Sequence, residues 1–145
     1  MRIDFFSKSL FGLTLAACAV LGAPAFADTV SYKAELQGAQ EVPPVPGDGK
    51  GSVDVTYDTA TKQLTWKVTF SGLTGPATAA HFHGPAEPGK NAGVAVPIVG
   101  TASPLEGSAT LTDAQAADLT GGKWYVNVHT ATNKGGEVRG QVVKK

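Results

Sequence analysis

Three side chains have the type and spacing to hold a metal ion: His81, His83 and His129, the complete histidine set of the chain. His81 and His83 flank Phe82. In an extended strand, residues i and i+2 point to one face with their bases roughly 7 Å apart, a separation from which two imidazoles lean onto one ion. Phe82 then points to the opposite face. His129 comes from a later segment, Trp124-Tyr125-Val126-Asn127-Val128-His129, whose alternation sends Trp124, Val126 and Val128 one way and Tyr125, Asn127 and His129 the other. If the two segments meet, three neutral nitrogens converge beside glycine-rich loops that leave a coordination position open. Such a set suits copper or zinc, both of which accept imidazole, and without clustered carboxylates it is a poor match for calcium or magnesium. The competing reading is three ordinary surface or internally satisfied histidines.

Other chemistries lack their residues. No Gly-x-Ser-x-Gly elbow exists, and a Ser/His/Asp arrangement needs a histidine free to act as base. Gly47-Asp48-Gly49 does not sit between a strand and a helix, so it is no phosphate cradle. Cys18 is the sole cysteine and lies in the N-terminal leader described below, which leaves the remainder without disulfide, thiolate nucleophile or Cys-ligated metal. Without the leader's Arg2, Lys8 and Asp4, ten basic and eleven acidic side chains remain, and no basic footprint for nucleic acid is visible.

The elements that must position the histidines read as strands. Thr29 to Leu36, Gly51 to Tyr57, Gln63 to Phe70, Ala77 to His83, Gly93 to Val99, Gly107 to Leu111, Lys123 to Thr130 and Glu137 to Val143 each show a period near two. Turn compositions separate them, among them Pro43 to Gly49, Asp58 to Thr61, Pro85 to Gly89 and Asn133 to Gly136. Only Thr112 to Leu119 looks helical, with Thr112 as the cap, Asp113 and Gln115 in the first turn and Gly121-Gly122 as the stop. The expectation is an all-β, antiparallel Greek-key β-sandwich of about eight strands with one short helix. Leu64, Trp66, Val68 and Phe70 share one face, and Trp66 and Trp124 are expected in the core.

The N-terminus reads as an address. Arg2 and Lys8 precede an apolar run from about Leu10 to Leu21, and Ala25-Phe26-Ala27 supplies a small-residue cleavage site. Residues 1–27 are thus expected to be a secretory signal and residues 28–145 a single domain, secreted or periplasmic. The run is too short for a comfortable membrane span. A minority reading takes Leu15-Ala16-Ala17-Cys18 as a lipobox that anchors the protein through Cys18.

Several segments together resemble the CHRD domain, the module named after chordin. They are Glu41-Val42-Pro43-Pro44, His81-Phe82-His83-Gly84-Pro85-Ala86, Leu111-Thr112 to Leu119, and Trp124 to Ala131 followed by Gly135-Gly136-Glu137-Val138-Arg139-Gly140-Gln141-Val142. The likeness runs from about Ser31 to Val143 and implies a compact β-sandwich. More distantly, the H-x-H pair, Val128-His129, Gly135-Gly136 and Arg139 are similar, in order, to elements of copper/zinc superoxide dismutases. That resemblance implies copper ligation by His81, His83 and His129, and makes Arg139 the catalytic cation that positions superoxide. Nothing matches the bridging histidine, the zinc ligands or the disulfide pair of those enzymes, so the implied site is copper-only. Glu137, two residues away, would partly offset the charge of Arg139. The functions left open are an exported copper-only superoxide dismutase, a copper-binding module without turnover, a zinc site that activates water, and an envelope or matrix interaction module without metal. No protein partner is indicated. Mass spectrometry of the exported protein should find Asp28 as the first residue, and a lipidated Cys18 would overturn the cleavage expectation.

Overall fold

The computed structural model describes residues 28–145, so the signal, the cleavage site and the Cys18 anchor lie outside the described residues. The strands are β1 (Thr29–Gln37), β2 (Lys50–Asp58), β3 (Gln63–Ser71), β4 (Ala77–His83), β5 (Val94–Ile98), β6 (Leu105–Thr110), β7 (Tyr125–Thr130), β8 (Val138–Gln141) and β9 (Val143–Lys144). One helix, α1 (Asp113–Thr120), lies between β6 and β7, and a short 3₁₀ turn (Gly38–Gln40) follows β1. The all-β expectation holds. The last expected strand divides in two, because Val142 buries its side chain and donates its N–H to the Trp124 carbonyl between β8 and β9.

All pairs are antiparallel, in the order β5-β4-β7-β8-β1-β2-β3-β6, with β9 added to β1. The two ends of this path, β5 and β6, come back into contact, so the sheet curls into a nearly closed barrel. With β4, β5 and β6 successive neighbours and β7 returning to pair with β4, the path is a Greek key. Curling removes most of the open edge. What remains at β5 is blunted by Pro97 and by the Gln115 side-chain amide of α1, which donates to the Ala95 carbonyl at 2.9 Å. The helix begins as its sequence dictates, with Thr112 and Gln115 forming a reciprocal capping box.

Alternation fills the barrel. Tyr32, Ala34 and Leu36 of β1, Val53, Val55 and Tyr57 of β2, and Leu64, Trp66 and Val68 of β3 all point inward. Outside, hydroxyls pair across strands, as between Ser52 and Thr69 at 2.8 Å. The interior centres on Phe82, whose ring meets Trp66 edge-on at 5.4 Å and Trp124 at 5.7 Å. A Cβ on Gly107 would sit 2.6 Å from the Trp66 ring, so only glycine on β6 leaves room for that indole. Phe82→Ala should therefore cost about 3–5 kcal/mol in urea unfolding. His81→Ala, one residue away on the outer face, should cost less than about 1 kcal/mol.

Candidate metal centre

β4 and β7 are neighbours, and their register sets His81 against Asn127 and Ala79 against His129. His129 therefore lies one diagonal step from His81, within reach of a long side chain across the pair. His81 Nδ1 and His129 Nε2 share a hydrogen bond of 3.1 Å, whose proton an ion bound by both would displace, and one nitrogen from each of the three rings lies within 4.8 Å of the others.

The outer nitrogens decide which inner ones are bare. His83 Nδ1 donates to the Ala92 carbonyl at 3.0 Å and His129 Nδ1 to the Lys134 carbonyl at 2.9 Å. Each bond puts the proton on Nδ1 and leaves Nε2 as the ligand atom. His83 Nε2 is buried with no hydrogen-bond partner. Burial pushes the pKa of both His81 and His83 below the usual imidazole value, and the neighbouring histidine charges add to the effect. Burial thus favours, in these two rings, the neutral form that a metal requires. The donor set, the bare nitrogens and their spacing fit a metal ion.

The two loops that carry these carbonyls are held from below. Gly136 has φ +128, and a Cβ there would lie 2.2 Å from Glu41 Oε1 and 2.5 Å from Asn127 Nδ2, so glycine lets the 131–136 loop pass close over them. Glu137 accepts from Thr74 N at 2.7 Å, from the Thr74 and Thr130 hydroxyls at 2.6 Å and from Asn133 Nδ2 at 3.0 Å. Burial opposes ionisation of this carboxyl, but the hydrogen bonds together outweigh it and hold the pKa at about 2. Glu137 thus ties the loop behind His129 and is not turned toward Arg139.

The resemblance to copper/zinc superoxide dismutases makes Arg139 the cation that positions superoxide. This residue is instead 2% exposed, with its Cζ 3.5 Å from the centre of the Tyr125 ring. Its guanidinium donates to Asn91 Oδ1 at 2.8 Å and to the Lys90 carbonyl. The cleft over the histidines, about 420 Å³, is lined by Thr78, Ala79, His81, His129, Thr130, Ala131 and Lys134, so the cation at its wall is Lys134. A cleft of about 470 Å³ on β1–β3 involves none of the histidines.

Glu41 is a second residue that its sequence context did not mark as a buried acid. Burial raises its carboxyl to about 7 against the opposing effects of Arg139, Asn127 and the Val42 N–H. An isolated glutamate in a Pro-rich turn carries no pattern that signals enclosure.

A protein-family model, the CHRD domain, matches residues 32–142. The chain belongs to the CHRD domain family. None of the curated proteins and none of the solved structures matches it significantly. Within this CHRD domain the Glu41-Val42-Pro43-Pro44 turn and the Gly135-Gly136 loop are brought together over the polar face of β7. Among the described residues, no helix is long and apolar enough to cross a membrane.

Because the Glu137 pKa is depressed, its contribution is complete above the ordinary value of 4.5 and is lost as pH falls toward about 2. Glu137→Gln should lower stability at neutral pH by about 1–3 kcal/mol. Melting curves of the two proteins should converge between pH 4.5 and about 2, and an equal gap at both ends would remove the charge from the account.

Proposed function

We infer that this CHRD domain binds one copper ion through His81 Nδ1, His83 Nε2 and His129 Nε2, and that it is an exported copper-only superoxide dismutase. The observation that carries the reading is the convergence of three imidazoles, two of them with Nδ1 held by a backbone carbonyl so that Nε2 carries no proton. A neutral nitrogen set serves both oxidation states of copper, the metal that heads the stability order for such ligands, and zinc is the weaker alternative. The order of the H-x-H pair, Val128-His129, Gly135-Gly136 and Arg139, which resembles copper/zinc superoxide dismutases, supports the same conclusion. The leader pattern of residues 1–27 supports export.

Bound copper supplies one-electron chemistry, by which one superoxide leaves as O₂ and a second takes up two protons as peroxide. The protein's own part is to hold and to admit. His81 and His129 form the wall of an open cleft that a diatomic anion enters freely. Lys134 places a positive charge at that wall, and the enclosed Arg139 adds to the field from behind Tyr125. Thr78 and Ala131 border the cleft without adding negative charge.

A second reading, copper binding without turnover, is favoured by one specific observation: the Arg139 guanidinium does not line the histidine cleft. The two separate on measurement. His81→Ala, His83→Ala and His129→Ala should each weaken copper binding by orders of magnitude in a competition titration, and unchanged stoichiometry in any one removes that residue from the site. Lys134→Ala leaves the carbonyl that holds His129 in place. It should retain full copper while consuming superoxide more slowly, with a weaker dependence on salt than the parent. A copper-loaded parent that consumes no superoxide leaves binding alone.

A further inference from the structure

Arg139 is a buried cation without a buried counter-ion bond: no carboxylate among the described residues comes within ion-pair distance of it. Enclosing a guanidinium in this way is expensive unless its N–H groups and its flat face are all used. Here they are used on two things, and both of them touch His83.

The first is the Tyr125 ring. Tyr125 sits on β7, between β8, which carries Arg139, and β4, which carries His83. The guanidinium lies 3.5 Å from the ring centre, and the His83 ring lies 4.8 Å from it with an angle of 3° between the planes. Guanidinium, phenol and imidazole thus form a stack across three adjacent strands. The stack fixes the plane in which the imidazole stands.

The second is the segment 90–92. Arg139 donates to the Lys90 carbonyl and to Asn91 Oδ1, and Asn91 Nδ2 donates in turn to the Val42 carbonyl at 3.1 Å. The next residue, Ala92, supplies the carbonyl that takes the His83 Nδ1 proton. The same Ala92 also exchanges hydrogen bonds with the Tyr125 hydroxyl, at 3.2 Å from its N–H and 3.3 Å to its carbonyl. This segment has no helix or strand of its own to hold it. The guanidinium fork takes that task.

We propose that Arg139 is a positioning residue for His83, holding through Tyr125 and the Ala92 carbonyl both the ring plane and the Nδ1–H tautomer, so that Nε2 faces the histidine cluster bare before any metal arrives. The inference rests on the three-histidine reading for its purpose, but its geometry belongs to the metal-free protein. Only a planar, five-donor cation meets the ring face and two separate acceptors at once, so lysine is no substitute. Groups that orient a ligand in this way typically contribute 10–100-fold to metal affinity.

The test uses the mature protein free of metal, at an alkaline pH where all three rings are neutral, with long-range nitrogen–proton NMR to read the tautomer of each histidine. The parent should show His83 and His129 as Nδ1–H. Arg139→Lys and Arg139→Gln should leave His129 unchanged, convert His83 to a mixture of tautomers, and lower zinc and Cu(I) affinity about 10–100-fold. Asn91→Ala removes one acceptor from an exposed side chain and so keeps the fold. It should move the same His83 signals in the same direction by less. Folded Arg139 and Asn91 variants that keep His83 entirely as Nδ1–H overturn the proposal, even if they melt earlier. If the parent binds no metal while His83 still loses its tautomer in these variants, the positioning role stands and the copper reading falls.

Discussion

The structure depends on β7 being buried on both faces. Its inward residues Val126 and Val128 are fully enclosed in the barrel, yet Tyr125 and Asn127 on the outward face are each only 3% exposed. A strand enclosed on a polar face must find hydrogen-bond and stacking partners within the protein, because water no longer supplies them. Those partners come from three connections that would otherwise be ordinary surface turns: the 38–46 turn, the 84–93 loop and the 131–136 loop. The histidine cluster lies at the border of this covered region, where β4 and β7 run out from under the loops. That position makes the rings partly desolvated and still reachable.

The covering also supplies order. In a free loop, the carbonyls of Ala92 and Lys134 would be solvated and mobile, and nothing would hold either histidine in the Nδ1–H tautomer. Here each carbonyl belongs to a loop tied down elsewhere, one by Arg139 and Asn91, the other by Glu137 through Thr74, Thr130 and Asn133. The cost of ordering these imidazoles is met during folding, so an ion entering the cluster would not have to meet it again. Two buried ionisable groups accompany this arrangement with opposite behaviour. Glu137 is wrapped in donors and stays ionised, whereas the less well-satisfied Glu41 is pushed toward its neutral form.

The arginine shows how close a residue-type argument comes and where it stops. Arg139 lies on the face shared with Asn127, since the two are paired in register. From there a long side chain reaches in any of several directions. The direction taken is toward the ring of Tyr125 and the backbone of the 84–93 loop, because a buried guanidinium needs several acceptors and a flat face together, and only that side offers them. The charge at the cleft wall falls to Lys134, a loop residue with no periodicity to reveal it.

Local patterns along the chain are enough to place the strands, apart from the break at Val142, together with the capped helix, the inward tryptophans and the outward histidine pair. These follow from period-two alternation, from local capping chemistry and from turn residues, all of which act within a few positions along the chain. The same patterns put His81, His83 and His129 on outward faces. It takes the folded barrel to make β4 and β7 neighbours in a register that brings a pair of their nitrogens to 3.1 Å, to cover the outward face of β7, and to select the carbonyl that fixes each tautomer. The strand pairing joins residues tens of positions apart, and the two carbonyls, although only nine and five residues from their histidines, sit in loops anchored by distant partners such as Arg139 and Thr74. Contacts of that range are selected by the burial of the whole barrel and leave no local signature in the segments that make them.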